Sequence, residues 1–154
     1  MDPCMFSSEH NEWQTPKALF DALDREFHFE TDVCATPSNA MCAKFYTKEQ
    51  DGLKQEWVGS CFMNPPYGRE ILKWMEKAYK SALGGGAVVV CLVPARTDTR
   101  WWQQYAMQAT EIRFISGRVK FGFGDSAGSA PFPSAVVIFG TPRTPVIRSW
   151  GVPE

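Results

Sequence analysis

The chain has 154 residues, enough for one domain rather than two ordinary ones, and its 44% apolar content can bury a substantial core. With 16 basic against 17 acidic residues the net charge is −1, which excludes a histone-like basic protein and a long acidic disordered chain. Eleven prolines and twelve glycines recur without a period, so a collagen or low-complexity linker is also excluded.

Residues 1–11 carry acids and no hydrophobic stretch, the opposite of a secretory signal. Thr15-Pro16 reads as a helix start, with Thr15 as N-cap and Pro16 in the first turn. Leu19, Leu23 and Phe27 then repeat at helical spacing. Residues 29–35 (FETDVCA) read as a short strand carrying an acid near its end, and residues 43–46 as another. Residues 60–63 form a brief apolar strand that runs into Asn64-Pro65-Pro66-Tyr67, a rigid loop, because two prolines in succession suit neither helix nor central strand. Ile71, Met75, Ala78 and Ala82 mark a helical face that Gly84-Gly85-Gly86 ends. The unbroken apolar run 87–93 is far too short to cross a bilayer and has the pattern of a parallel strand covered on both faces. A short helix at 100–107, a strand at 111–115, a loop at 123–133 and a strand at 134–139 follow, and the Pro-containing tail from 141 reads as irregular. Strands alternate with helices, which gives an α/β fold with a mostly parallel sheet and a single domain whose core spans about residues 12–140. A soluble, intracellular protein is expected.

Five cysteines (4, 34, 42, 61 and 91) without a CxxC pair argue against a disulfide framework or a zinc site, and His10 and His28 lie 18 residues apart. Inert thiols and no metal are expected. The near-zero charge hides a split: residues 1–68 hold 11 acids and 5 bases (−6), residues 69–154 hold 6 acids and 11 bases (+5). A polyanion-binding face would therefore come from the second half, through residues such as Arg96, Arg100, Arg113, Arg118 and Lys120. Ordinary solvated charge is the competing explanation. Trp101-Trp102 reads as packing rather than as a platform for bases.

The loop after residue 63 carries the chemistry. In an open α/β sheet, ligands bind at the carboxyl ends of strands, where this loop lies. The Asn64 side-chain oxygen and the Pro65 carbonyl can both accept from an NH₂ group. Pro65 and Pro66 fix the backbone and add no competing donor. Tyr67 offers a face on which a base can stack, worth roughly 1–3 kcal/mol. These parts suit the holding of a planar nitrogen nucleophile. A structural turn that happens to contain two prolines is the plain alternative.

Across residues 12–139 the sequence resembles the phage-type DNA N-6-adenine methyltransferases, relatives of the Dam-like enzymes. The resemblance is carried by EWQTP (12–16), DVCATPSNAMC (32–42), NPPYG (64–68), LVPARTDTRWW (92–102), GRVKF (117–121) and APFPSAVVIF (130–139). It implies a compact Rossmann-like methyltransferase fold with helices on both faces, S-adenosylmethionine as cofactor and DNA as partner, in a bacterial or phage-infected cytoplasm. It further implies that Asn64 and Pro65 meet the target amino group and that Tyr67 meets a flipped base. Trp13, Thr15 and Pro16 would touch the methionine end of the cofactor. The strand ending in Asp32-Val33-Cys34 would be the cofactor-binding first strand, with Asp32 near the methionine ammonium. Asp51 would serve the adenosine end, and Arg96, Arg100, Arg118 and Lys120 the DNA.

Three departures from the family pattern stand out. Cys34-Ala35-Thr36-Pro37 replaces the Gly-rich turn after the first strand. Only 31 residues separate Asp32 from Asn64, so the sheet should be trimmed on the cofactor side. No insert is long enough for a separate target-recognition domain, which leaves a short specificity or a homodimer to supply recognition. Methylation of RNA or of a glutamine amide, and a DNA-binding relative without turnover, are the rival functions.

Overall fold

The computed structural model describes residues 14–122 and 128–153. Helix α1 spans Lys17–Phe27 and buries Leu19, Phe20 and Leu23. Pro16, with extended φ −61° and ψ 139°, is the residue before the first turn, and no side chain caps the helix. Thr15 is therefore not the N-cap. A proline suits that entry because its fixed φ directs the chain in and no N–H is lost from the ladder.

Strands β1 (Thr31–Asp32), β2 (Lys44–Phe45) and β3 (Ser60–Met63) precede helix α2 (Ile71–Gly85). The strand expected over 29–35 shrinks to two residues because the Asp32 carboxylate accepts from the Cys34 N–H at 3.3 Å and turns the chain away. Glu30 and Val33 still donate to the Ser60 and Phe62 carbonyls, so β3 holds this segment on both sides of β1. Helix α2 includes Gly84 and Gly85 and stops at Gly86, whose φ of 71° and N–H bond to the Ser81 carbonyl form a left-handed cap.

Strand β4 (Val88–Pro94), helix α3 (Arg100–Gln104), strand β5 (Glu111–Ile115), the hairpin β6 (Lys120–Phe121) and β7 (Gly128–Ser129), and strands β8 (Ser134–Phe139) and β9 (Val146–Trp150) complete the order. The seven-stranded sheet runs β2-β1-β3-β4-β8-β5-β9. β8 is its one antiparallel member among the described residues, wedged between β4 and β5. Every residue of β8, and all but the first of β4, is buried, as their Val/Ile/Leu content requires of strands covered on both faces.

Two expectations change at the far end. The tail is not irregular, because β9 pairs in parallel with β5 from Glu111↔Val146 to Ile115↔Trp150. Pro142 and Pro145 concealed it by standing before the strand, Pro145 directly so, rather than within it. Residues 128–129 of the expected loop form β7.

Consecutive residues of β5 show how the layers lie. Arg113 reaches Glu26 of α1, whereas Phe114 stacks on Trp102 of α3 at 6.1 Å. Neighbours on a strand point to opposite faces, so α1 and α3 cover opposite sides. Helix α2 joins α3 on its side, where Tyr105 donates to Glu76 at 2.7 Å and Tyr79 lies 5.9 Å from the Tyr105 ring. On the α1 side, Phe62 meets Phe20 edge-on at 5.1 Å. Fully burying a ring of that size stabilises by about 1.5–3 kcal/mol.

Candidate active site

Two parallel neighbours place the leading candidates. In the β1–β3 register Asp32 stands opposite Phe62, and Asn64 lies two residues beyond Phe62. Both therefore emerge at the carboxyl edge of the sheet, one strand apart.

Asp32 is only 3% exposed, and its carboxylate accepts from the Cys34 and Met41 N–H groups. Burial pushes its pKa up to about 6, against the two backbone N–H bonds that pull it down. Met41, Gln14, Thr15 and Pro16 line a cleft of about 510 Å³. Asn64 donates its Nδ2 to Thr15 Oγ1 at 2.9 Å, which ties the catalytic-loop candidate to the cleft wall. Gln14 contributes a buried Oε1 with no hydrogen-bond partner among the described residues. Cys34 is half-buried beside Asp32. Asp51 has φ 54° and spends one carboxylate oxygen capping a single 3-10 turn, accepting from Leu53 N–H at 3.1 Å. That turn is pressed on the segment after Asp32, for a Cβ on Gly52 would lie 2.2 Å from the Val33 carbonyl oxygen. Trp13 lies outside the described residues.

A second cleft of about 610 Å³ is lined by Tyr67, Arg69, Pro94, Arg96, Trp101 and Phe132 among others. Pro65 is buried and Pro66 half-buried. Tyr67 is not the open platform expected. Its ring is 5% exposed and sits edge-on to Phe132 at 5.6 Å and Phe121 at 6.4 Å. Its hydroxyl donates to the Leu92 carbonyl at 3.1 Å, and burial raises its pKa well above the usual phenol range.

The basic residues separate into two groups. Arg96, Arg100, Arg118 and Lys120 are exposed. Arg96 lies over the Phe132 ring at 5.5 Å, and Thr99 caps α3 between Arg96 and Arg100. Arg118 donates to the Ala130 carbonyl at 3.2 Å, next to the β6–β7 hairpin that carries Lys120. Arg113 is the correction. It is buried, holds Glu26 with both terminal nitrogens at 2.9 and 2.6 Å, and meets Glu111 at 2.6 Å, so it offers nothing to a polyanion. Arg69 and Phe132 were missed. The adjacency of Arg69 to the NPPYG motif was the available signal, whereas no local pattern points to Phe132.

Among the described residues no group of three or more His, Cys, Asp or Glu could hold a metal. Burial raises the thiols of Cys42 and Cys61 to about 12 and about 11, which suits inert packing groups. Within the described residues no helix is long and apolar enough to cross a membrane.

A mostly parallel sheet, helices on both faces and polar groups gathered at the carboxyl edge define a Rossmann-like methyltransferase fold. A family model described as DNA N-6-adenine-methyltransferase (Dam) matches residues 5–147, and the chain belongs to that family. It is 30% identical over 145 residues to the DNA N-6-adenine-methyltransferase of Haemophilus phage HP1, covering 90% of this chain and 83% of that one. It is 29% identical over 106 residues to the DNA N-6-adenine-methyltransferase of Escherichia phage T1, covering 67% and 44%.

Proposed function

We propose that this protein transfers a methyl group from S-adenosylmethionine to the N-6 amino group of an adenine flipped out of DNA. The observation that carries the reading is the placement of Asp32 and Asn64 on adjacent strand ends, with Asn64 bonded to Thr15 in the wall of one cleft and Tyr67 lining a second. The first cleft suits a cationic donor: the Gln14 Oε1 is a buried acceptor in its wall, Asp32 accepts from the Met41 N–H of that wall, and the lining Lys17 is paired with Asp21 at 2.8 Å. Asp32, Cys34 and Pro16, with Trp13 and Asp51, would hold that donor, with Thr15 in the cleft wall beside it. When bound, S-adenosylmethionine supplies a methyl group already activated by its sulfonium.

The protein's own task is to prepare the nucleophile. The adenine amino lone pair is delocalised into the ring. Accepting its two N–H bonds at the Asn64 amide oxygen and the Pro65 carbonyl favours a tetrahedral nitrogen with an available lone pair, which is positioning and electrostatics rather than proton abstraction. Tyr67 and Phe132 give the second cleft an apolar wall for an extruded base, offsetting the few kcal/mol of unstacking. Pro66 keeps the loop stiff. Arg96, Arg100, Arg118 and Lys120 would neutralise phosphates around this mouth. The work would take place in the cytoplasm of a bacterium or an infected host.

The test is calorimetric titration with S-adenosylmethionine, followed by tritium transfer to DNA, RNA and a glutamine peptide in parallel. Label in adenine of DNA supports the reading. Binding without transfer to any of the three, or label confined to RNA or peptide, rejects it.

A further inference from the structure

The bond between Asn64 and Thr15 closes a gap of 49 residues in sequence. Thr15 is buried, its hydroxyl plays no part in capping α1, and it lines the first cleft. The segment that carries it is held firmly. Pro16 has a fixed φ, the Pro16 carbonyl accepts the Phe20 N–H at 3.1 Å, and Leu19 and Phe20 anchor the first turn in the core.

We propose that Thr15 is a positioning residue that sets the rotation of the Asn64 amide; this rests on the catalytic reading of Asn64 above. An asparagine amide has two ends of nearly equal size and opposite hydrogen-bonding character. Rotated one way it presents oxygen to an incoming amino group and accepts from it. Rotated by half a turn it presents NH₂, and donor meets donor. The Thr15 oxygen takes the nitrogen end, so the acceptor end is the one turned away from Thr15. Because the same residue lines the first cleft, the proposed methyl-donor cleft and the orientation of the nucleophile-binding amide share one side chain.

The experiment compares wild type, Thr15→Val and Thr15→Ser. Valine keeps the volume and loses the acceptor, whereas serine keeps the acceptor. Single-turnover methylation of a duplex oligonucleotide at saturating S-adenosylmethionine is measured beside calorimetric affinity for S-adenosylhomocysteine. The Asn64 side-chain amide signals, assigned by their loss in Asn64→Ala, are followed by NMR. Thr15→Val should lose about tenfold or more in rate, in line with the sensitivity of reactions to small misplacement. Its affinity for S-adenosylhomocysteine should stay within about threefold, and Thr15→Ser should restore both the rate and the amide signals. Should the valine variant fail to fold, Thr15→Ala takes its place, since it also lacks the acceptor. A wild-type rate or unchanged Asn64 signals in the variant without the acceptor overturns the proposal. So does lost affinity with an unchanged saturated rate, the mark of a simple cofactor contact. Absence of transfer by the wild type rejects the catalytic reading itself and the positioning role with it.

Discussion

Asp32 and Asn64 sit one strand apart at the same edge of the sheet, Asp32 in register with the residue two before Asn64. One is a buried acid sealed by two backbone N–H groups, and the other is an amide tied to the helix-entry segment. Their neighbourhood defines what each should do when altered.

For Asp32 the outcome depends on pH. Its carboxyl is raised from 3.8 to about 6 by burial. Below about pH 4 both folded and unfolded chains hold the proton. Between about pH 4 and 6 the unfolded chain ionises first, so this residue's contribution to stability falls as pH rises and is gone above 6. Denaturant midpoints measured from pH 4 to 7 should show that decline in the wild type and lose it in Asp32→Asn. Affinity for S-adenosylmethionine should move the other way, rising through pH 6 as the carboxylate forms beside the ligand ammonium. A flat wild-type binding profile would remove Asp32 from the donor site.

Asn64→Ala should lower methyl transfer by at least about 10²-fold, on the scale of losing one hydrogen bond made chiefly in the transition state. Cofactor affinity should change by no more than a few-fold. Near wild-type transfer in this variant would return the loop to a structural turn.

Tyr67 is expected to respond as a buried ring as well as a site residue. Tyr67→Ala removes the partner of Phe121 and Phe132 and should cost about 3–5 kcal/mol, read as a fall in melting temperature. Tyr67→Phe loses only the bond to the Leu92 carbonyl, a matter of about 0.5–1.5 kcal/mol, and should retain most activity. Equal stability of the alanine variant and the wild type would contradict the packing described.

The arginines offer an internal control. Replacing Arg96, Arg100, Arg118 or Lys120 by Ala should weaken DNA binding across sequences and reduce the log–log salt slope by about 1 each. Arg113→Ala should leave the slope unchanged and instead destabilise the fold, because the buried Glu111 loses one of its three arginine partners and Glu26 loses its own. Four unchanged slopes would assign the exposed residues to ordinary surface.

What could be read from the sequence was whatever depends on near neighbours. The apolar runs over 60–63, 87–93 and 134–139 become β3, β4 and β8 because their burial on both faces is written in consecutive letters. The proline pair fixed the loop at Asn64. Long-range partners were not legible. Thr15 looks like a cap until Asn64 claims its hydroxyl, and Tyr67 looks like a platform until Phe121 and Phe132 close over its edges. Arg113 passes for a surface charge until Glu26, 87 residues away, is placed beside it. The β9 strand was hidden by prolines whose meaning depends on whether they fall inside a strand or just before it.

The wedged position of β8 sets a timetable for synthesis. β4 and β5 leave the ribosome first and run in the same direction, yet the slot between them must stay open until residues 134–139 arrive to fill it. Glu111 must likewise wait for Arg143 and Arg148 before all its ion-pair partners exist. Nascent chains halted before residue 134 should therefore be cleaved by protease throughout β5, and those carried past residue 150 should resist. Protection of β5 in the shorter chains would show that the sheet can close without its antiparallel member. The half of the molecule that bears the candidate chemistry is thus made early and held to its final shape by residues translated late.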